Sequence, residues 1–447
     1  MRSTASNTVT PGDVRRILSE HLQVRGMKPL VLDMQRSRGV HLCDAVTGRE
    51  YLDFFGFFAS SVLGMNHPAL VEDADFRERL LEAAFHKVTN SDMATVHMAR
   101  FARTFSRMAI PEYLPYAFFI SGGAAAVENA LKAAFDWKVR KNRAKGRGGE
   151  LGRKVLHLEQ AFHGRSGYTL SLTNTADPNK TRHFPVFDWP RIPNPKIVHP
   201  LKAHLEEVER AEAFALDRAR EHFLACGDDI ASVIVEPIQG EGGDNHFRPE
   251  FLARLKDLAH ENDALFIFDE VQTGVGITGR FWAHQMLGVR PDLIAFGKKT
   301  QVCGVLAGPK MDEVDDHVFR LPGRINSTWG GNLADMVRFD RILEVMEEQD
   351  IVGRVDGLGA HLLMRLHELA DAHPCVSNVR GRGLMCAFDL PDLEVRAAFL
   401  EKCYEAGLVM LGCGVSSVRF RPPLVVTADE LDQGIDLIDG VLQRMNL

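Results

Sequence analysis

The middle of the chain repeats one pattern of hydrophobic and polar positions. A short apolar run rich in Ile, Val and Phe is followed by a loop and then by a stretch with helical periodicity, as at Phe251, Leu255 and Leu258. Strands that alternate with helices form mostly parallel sheets with helices on both faces. The pattern therefore predicts an α/β domain. Its strands are expected at 116–120, 154–158, 232–236, 264–269 and 292–296.

The two ends of the chain follow different patterns. Residues 39–56 alternate apolar and polar positions around a D-A-V-T-G turn, which predicts a β-hairpin. From about residue 340, long helical stretches enclose more widely spaced strands, which predicts a small α+β lobe that pairs with the hairpin. We therefore expect an N-terminal segment at 1–60, a large α/β domain at 61–340 and a small α+β domain at 341–447.

Length and composition narrow the class of protein. The chain has 447 residues, of which 45% are hydrophobic and 25% charged, and a single core stops growing at roughly 250–300 residues. The formal charge of −7 argues against nucleic acid, whose phosphates require a basic surface. No apolar run is long enough to cross a membrane, and the seven scattered cysteines form no C-x-x-C pair. These features predict a cytoplasmic protein that binds small molecules.

Candidate functional residues follow the predicted strands, at the edge where α/β proteins bind their ligands. The strand at 116–120 leads into Gly123 and Ala124 at the start of a helix, where backbone amides suit a phosphate. A tight structural turn explains the same residues equally well. Asp269 ends the strand at 264–269, and a carboxylate there needs a cationic or protonated partner unless it caps a helix.

Two further strand ends supply an amine and an aromatic ring. Lys298 and Lys299 follow the last strand, and an amine kept from water has a lowered pKa and can form a Schiff base with an aldehyde. Two lysines in a surface loop are the plainer interpretation. Phe162 and Arg165 follow the second strand and suit stacking on a flat ligand and binding of a carboxylate.

These strand ends together fit one cofactor. A phosphate site, a flat ring, an acid for a ring nitrogen and a lysine for an aldehyde describe pyridoxal phosphate. The chain has no G-x-S-x-G, G-K-[ST] or H-E-x-x-H motif and no Cys/His cluster, so we predict no metal.

Six segments carry a resemblance to a known family, over nearly the whole chain. They resemble the class III, ω-amino acid branch of the fold-type I aminotransferases. In detail, its lysine ε-aminotransferase group is most similar in FGKKTQVCG (296–304), EPIQGEGGDNHFRPEF (236–251), NSTWGGN (326–332) and GRGLMCAF (381–388). The resemblance implies a fold-type I pyridoxal phosphate transferase with a large domain and a small domain built from both termini. The segments are AFHGRSGYTL (161–170), EPIQGEGG (236–243), IFDEVQTG (267–274), FGKKTQVCG (296–304), INSTWGGN (325–332) and VRFRPPL (418–424).

The resemblance implies a role for each cofactor residue. Lys298 would carry the cofactor and act as general base and acid, with Lys299 as the adjacent alternative. Asp269 would pair with the pyridine nitrogen. Gln272 would bond the ring hydroxyl, and Phe162 would stack on the ring.

The same resemblance assigns the phosphate to two subunits. The amides of Gly123 and Ala124 would bind it together with Thr328 of a second copy, which implies a homodimer with the active site at its interface. Ala124 and Ala125 stand where the family commonly has Thr and Glu, so the phosphate loses a hydroxyl donor. We interpret this difference as a mark of the subfamily.

The resemblance also implies a reaction with two substrates. The ε-amino group of L-lysine would pass to 2-oxoglutarate in a ping-pong cycle, giving L-glutamate and 2-aminoadipate 6-semialdehyde, which cyclises to 1-piperideine 6-carboxylate. Arg419 would bind the carboxylate beside the reacting carbon of 2-oxoglutarate, and Glu241 would neutralise Arg419 while lysine reacts. Arg165 would bind the far carboxylate of each substrate, beside Gln272.

Several alternatives remain open at this point. Arg419 and Glu241 could form a purely structural ion pair, and ornithine or 4-aminobutyrate could be the donor. An aminomutase would use the same fold without an external keto acid, and a non-enzymatic binding protein is the remotest alternative. Arg421 is left out of the predicted site because Pro422 and Pro423 make a regular strand there doubtful. Cys303 lies near the lysine motif without an assigned role.

Overall fold

The computed structural model of the protein describes residues 8–445, and its largest element is a seven-stranded sheet. Residues 1–7 and 446–447, which belong to the predicted terminal segments, lie outside the described residues. In spatial order the strands are Tyr116–Ile120, Cys303–Ala307, Leu293–Phe296, Leu265–Asp269, Ile230–Val235, Lys154–Leu158 and Arg191–Ile192.

The sheet is parallel except at one strand. Cys303–Ala307 is antiparallel to both of its neighbours, and the remaining neighbours pair in parallel. All five predicted strands are present, and the α/β prediction is confirmed. The sequence pattern missed Cys303–Ala307 because this short run follows the lysine motif directly and has no helix after it.

Helices bury both faces of this sheet. Successive residues of the strand Leu265–Asp269 point to opposite sides. Ile267 packs in the cluster that contains Val127 and Trp137 of the helix Gly123–Ala144, whereas Phe266 packs in the cluster that contains Phe251. The sheet is thus enclosed, and ligands reach it only at the ends of its strands.

Helices occupy much of the chain between successive strands. Those of twelve or more residues are Ala74–Phe85, Val96–Ala109, Gly123–Ala144, Leu201–Cys226, Pro249–Glu261, Leu333–Glu348, Ile351–Ala372, Leu393–Ala406 and Ala428–Met445. Shorter ones are Val14–Ser19, Gly56–Ala59, Pro68–Val71, Gly167–Leu172 and Ala283–Leu287. Within residues 8–445, no helix is both long and apolar enough to span a bilayer.

Two small sheets involve the ends of the chain. The hairpin His41–Cys43 and Glu50–Asp53 is extended by Leu408–Val409, which pairs in parallel with the second strand. Both termini therefore build the smaller part of the fold, as predicted. The domain limits at 1–60, 61–340 and 341–447 stay a prediction. An antiparallel sheet contains, in order, Ser377–Arg382, Met385–Asp389, Ser417–Phe420 and Leu411–Cys413.

Strand register brings the candidate residues together. Ala295 lies opposite Asp269 in parallel strands, so Lys298 emerges beside the end of the Asp269 strand. A separate two-stranded hairpin, Ile238–Gln239 with Asn245–His246, has Glu241 in its turn. Arg419 comes from the antiparallel terminal sheet, in which it lies opposite Ala387.

Candidate active site

A cavity of about 260 Å³ lies at the carboxyl edge of the large sheet. Seven of the predicted site residues line it, and the other three, Glu241, Arg419 and Thr328, do not. The lining residues are Gly123, Ala124, Phe162, His163, Gly164, Arg165, Glu236, Asp269, Val271, Gln272 and Lys298.

A larger cavity, of about 870 Å³, is formed around the distal half of the helix Gly123–Ala144. It contains none of the predicted site residues. Several of its charged side chains are paired with one another, as in the ion pairs of Arg324 with Asp136 and of Lys154 with Asp229. The smaller cavity is therefore the candidate site.

The two adjacent lysines have different surroundings. Lys298 lines the cavity, and its Nζ makes no hydrogen bond to any other residue of 8–445. Burial and the neighbouring Arg419 lower the pKa of Lys298 to about 8. Lys299 is 1% exposed, and its Nζ donates to the carbonyl oxygens of Gln272 (2.7 Å) and Ala59 (3.2 Å). The surface-loop interpretation is therefore wrong for Lys299, and Lys298 presents the available amine.

Asp269 has a buried histidine as its partner. Its Oδ2 lies 2.8 Å from His163 Nδ1, and its Oδ1 accepts a hydrogen bond from the backbone of Val271 (3.0 Å). Both partners of the Asp269–His163 pair are less than 5% exposed. His163 Nε2 has no hydrogen-bond partner in the described chain. The carboxylate therefore stands fixed at the end of its strand by contacts to both of its oxygens.

Glu236 is a second buried carboxylate at this edge, and the sequence analysis assigned it no role. It accepts hydrogen bonds from the backbones of Phe162 (2.9 Å) and Gly240 (3.1 Å). Burial raises the pKa of Glu236 to about 7. Glu236 follows a buried strand just as Asp269 ends one, so the same argument applied to its strand would have found it.

Gln272 is held by an arginine that the prediction omitted. Its Oε1 accepts a hydrogen bond from Arg421 Nε at 2.9 Å. Arg421 is fully buried, and its two terminal nitrogens bond to the two carboxylate oxygens of Asp244, one of them at 2.9 Å. The regular strand does end at Phe420, as the prolines suggested, but the guanidinium reaches back to Gln272. Arg421 thus belongs to the support of the site.

Arg419 and Glu241 form an ion pair next to the cavity. Arg419 is 4% exposed, and its Nη2 donates to Glu241 Oε2 at 3.0 Å. Its Nη1 lies 3.5 Å from Gln272 Oε1, and its buried Nε has no partner within residues 8–445. Burial acts to raise the pKa of Glu241, but Arg419 and Lys180 outweigh it, so that this pKa lies below its ordinary value.

Two cations flank the ring of Phe162. The guanidinium carbon of Arg165 is 5.8 Å from the ring centroid, and Lys180 Nζ is 6.0 Å from it. Arg165 is exposed, whereas the Lys180 side chain is 18% exposed and also bonds to Glu241. No sequence signal pointed to Lys180, which lies in a proline-rich segment far from every strand end.

The predicted phosphate loop forms the start of a long helix. Gly122, with φ of 99°, precedes this helix, and no side chain caps the end at Gly123. The first amides of an uncapped helix can bind an anion. Gly164, with φ of 136°, packs against this turn so tightly that an added Cβ would lie 2.7 Å from that of Ala124.

Thr328 lies outside the cavity of its own chain. It is exposed, and its carbonyl oxygen is 3.5 Å from Ser91 Oγ. The next residue, Trp329, accepts a hydrogen bond from the backbone of Asn90. Cys303 is also outside the lining; burial raises its thiol pKa, so it is a poor nucleophile.

Comparison with known proteins identifies the family. Residues 22–442 match the family model described as aminotransferase class-III. The chain belongs to the class-III aminotransferases. The aminotransferase is 54% identical over 436 residues to the L-lysine-epsilon aminotransferase of Amycolatopsis lactamdurans, a match that covers 96% of this chain and 95% of the relative.

Solved structures agree with this assignment. The aminotransferase matches a lysine aminotransferase from Mycobacterium tuberculosis, solved in the internal aldimine form, with a TM-score of 0.95 and 53% identity over 98% of this chain and all of the other.

A more distant sequence relative is a probable mitochondrial 4-aminobutyrate aminotransferase of Caenorhabditis elegans, which is 32% identical over 93% of this chain and 88% of its own length.

The family and the geometry agree on the cofactor. Class-III aminotransferases depend on pyridoxal phosphate, which confirms the predicted cofactor and enzyme class. The residues present fit it: an uncapped helix start at Gly123 for the phosphate, a fixed carboxylate at Asp269 and an unbonded amine at Lys298. The individual roles of these residues stay predictions.

Proposed function

We propose that this aminotransferase transfers the ε-amino group of L-lysine to 2-oxoglutarate in two alternating half-reactions. The products would be L-glutamate and 2-aminoadipate 6-semialdehyde, which cyclises to 1-piperideine 6-carboxylate. The observation that carries the proposal is the Arg419–Glu241 pair at 3.0 Å, in which a carboxylate compensates the charge of a buried cation. The proposal is supported by relatives named for lysine at 52–54% identity.

The Arg419–Glu241 pair would compensate for a difference in charge between the two substrates. The carbon that reacts in 2-oxoglutarate carries a carboxylate, and the ε-carbon of lysine carries none. An arginine that waits for that carboxylate would be buried and uncompensated while lysine reacts, and effective penalties for such a charge reach several kcal/mol. In the lysine half-reaction, Glu241 pairs with Arg419 and removes the cost of its buried charge. In the 2-oxoglutarate half-reaction, Glu241 moves away and Arg419 binds the carboxylate of the keto acid.

The remaining carboxylate of each substrate is assigned to Arg165. Its guanidinium lies beside the ring of Phe162, and Arg165 lines the cavity whereas Arg419 does not. A planar guanidinium binds a carboxylate through two parallel hydrogen bonds. Arg165 would bind the α-carboxylate of lysine and the distal carboxylate of 2-oxoglutarate by turns, so one anchor serves substrates of similar length.

Proton transfer is assigned to Lys298. Bound pyridoxal phosphate supplies the aldehyde that exchanges the amino group and a ring that withdraws electrons from the reacting carbon. The neutral amine of Lys298 can take a proton from the substrate carbon, because its pKa of about 8 lies near neutral pH. Asp269 would hold a proton on the ring nitrogen, and Gln272 would direct its amide hydrogens to the ring hydroxyl, since its oxygen already accepts from Arg421.

We also propose that the active enzyme is a homodimer in which Thr328 completes the phosphate site of the partner. Thr328 is exposed and lies apart from the cavity of its own chain. Its carbonyl oxygen contacts Ser91, and the segment after Ser91 exposes apolar side chains in the single chain: Met93 is 68% exposed and Val96 is 84% exposed. Patches of this kind mark surfaces that bind protein. The predicted location in the cytoplasm stays a prediction.

One spectroscopic experiment tests the reaction. Purified protein with bound cofactor should lose its visible absorption band when lysine is added and regain it with 2-oxoglutarate. An aminobenzaldehyde reagent then distinguishes the six-membered ring expected from lysine from the five-membered ring expected from ornithine. A response to 4-aminobutyrate or ornithine but not to lysine would refute the proposed donor. Turnover without any keto acid would point to the aminomutase instead.

A further inference from the structure

Glu241 is bound from two sides at once. Its Oε2 accepts from Arg419 Nη2 at 3.0 Å, and its Oε1 is bonded to Lys180 Nζ. The two cations use different oxygens, so the carboxylate bridges them. Nothing in the proposed reaction requires Lys180, and the sequence analysis assigned it no role.

Lys180 is a partly buried cation beside Glu241. It ends the short turn Pro178–Lys180, and its side chain is only 18% exposed, close to the 21% of Glu241. Its other acidic neighbour, Asp177, is 3.9 Å away, farther than a normal hydrogen bond. Its amine lies 6.0 Å from the centre of the Phe162 ring, at the edge of the substrate cavity. Lys180 therefore depends on Glu241 for its close ionic contact.

We propose that Lys180 is a positioning residue that retains Glu241 when 2-oxoglutarate takes its place on Arg419, and so sets the balance between the two substrates. This inference rests on the proposed function. A carboxylate that left Arg419 with no other partner would be a largely buried, uncompensated charge. Because Lys180 already bonds the second oxygen, Glu241 exchanges two cationic partners for one and is never left with none.

The arrangement predicts an asymmetry between the half-reactions. While lysine reacts, Glu241 stays on Arg419, and the loss of Lys180 removes nothing that this state needs. When 2-oxoglutarate binds, Glu241 must leave Arg419, and without Lys180 it has no partner left. A change at position 180 should therefore weaken the response to 2-oxoglutarate and leave the response to lysine nearly intact.

The test measures the two half-reactions separately by stopped-flow absorbance of the holoenzyme. We expect Lys180→Met to raise the half-saturating concentration of 2-oxoglutarate by about tenfold, the equivalent of one lost interaction of moderate strength. The half-saturating concentration of lysine should change by less than about twofold. Lys180→Arg should behave like the wild type, because it keeps a cation at this position. Lys402→Met, on an exposed helical face, is the matched control.

A double variant separates retention of Glu241 from direct binding of substrate. In a Glu241→Gln background no carboxylate has to be held, so adding Lys180→Met should change neither half-reaction. If the tenfold effect persisted in that background, Lys180 would bind 2-oxoglutarate itself, and the inference would be wrong. Equal losses in both half-reactions of Lys180→Met would identify a merely structural role and would also overturn it.

The measurement of the 2-oxoglutarate half-reaction, the keto-acid arm of the test, does not depend on the identity of the amino donor. It can be started from protein reconstituted with pyridoxamine phosphate, which needs no amino donor. A wrong donor would therefore abolish the lysine arm in the wild type and leave the 2-oxoglutarate arm measurable. Failure of the proposed function and failure of the Lys180 inference are thus distinguishable.

Discussion

Arg421 donates from Nε to the side-chain oxygen of Gln272, at 2.9 Å, while both of its terminal nitrogens bond to Asp244. An arginine has only donors, so the Gln272 amide must turn its oxygen to Arg421 and its nitrogen away from it. The orientation of a predicted cofactor contact is thus fixed by an ion pair that is fully buried.

We predict that Arg421→Met destabilises the protein strongly. It leaves the Asp244 carboxylate buried without its partner, and such losses lower the free energy of unfolding by about 3–5 kcal/mol. The measurement is chemical denaturation. Arg218→Met, which breaks an exposed pair with Glu221, should cost less than about 1 kcal/mol. A loss at Arg421 as small as that at Arg218 would contradict the structure.

The depressed pKa of Lys298 predicts how the stability of the cofactor-free protein depends on pH. This pKa is about 8 in the folded chain against 10.5 for an ordinary lysine, so folding disfavours the protonated amine. The penalty is fully present below pH 8 and disappears as the pH rises toward 10.5. Lys298→Met should therefore raise the free energy of unfolding by about 3 kcal/mol at pH 7. A pH-independent difference between the two proteins would contradict this prediction.

Close packing at Gly164 predicts sensitivity to one methyl group. A Cβ there would lie 2.5 Å from Thr169 Oγ1 and 2.7 Å from the Ala124 Cβ, on a backbone with φ of 136°. We expect Gly164→Ala to lower the free energy of unfolding by about 1–3 kcal/mol and to weaken cofactor binding. Gly148→Ala is the control, because an added Cβ there meets nothing within 4 Å. Equal effects of the two substitutions would argue against the tight turn.

Removal of the Glu241 carboxylate should affect the two half-reactions unequally. In Glu241→Ala the Arg419 charge is uncompensated while lysine reacts, so this half-reaction should slow by at least about tenfold, the equivalent of 1.4 kcal/mol. The reaction of 2-oxoglutarate should be retained, since Arg419 no longer has to be freed. Single-turnover absorbance measures both. Equal changes would support the structural ion pair instead.

The assignment of Thr328 to the partner subunit can be tested with hybrid dimers. A dimer of one Lys298→Ala chain and one Thr328→Ala chain contains a single site with Lys298 present. If Thr328 acts across the interface, that site receives it from the Lys298→Ala chain and binds the cofactor with normal affinity. If Thr328 acted within its own chain, the hybrid would bind as weakly as the Thr328→Ala homodimer.

Much of this site could be predicted because a parallel sheet collects strand ends along one edge. Asp269 and Lys298 end neighbouring strands, so their proximity follows from local sequence once the sheet is known. Glu236 obeys the same rule. The sequence analysis treated it only as part of the EPIQGEGG segment (236–243), so it received no individual role. The antiparallel strand Cys303–Ala307 carries no comparable pattern of its own.

The residues that could not be predicted reach the site from a distance. Lys180 belongs to a segment without periodicity, and it meets Glu241 across 61 positions of sequence. Arg421 lies past the end of its strand, where backbone regularity says nothing about a long side chain. Such contacts depend on tertiary packing rather than on any local propensity.

The buried pair of Arg421 and Asp244 has a mechanical consequence. Asp244 belongs to the turn that carries Glu241, and Arg421 directly follows the strand that carries Arg419. The pair therefore links the turn that carries Glu241 to the strand that carries Arg419 and resists a change in their separation. In the proposed reaction, Glu241 would then leave Arg419 by rotation about its own side-chain bonds, without a movement of the backbone.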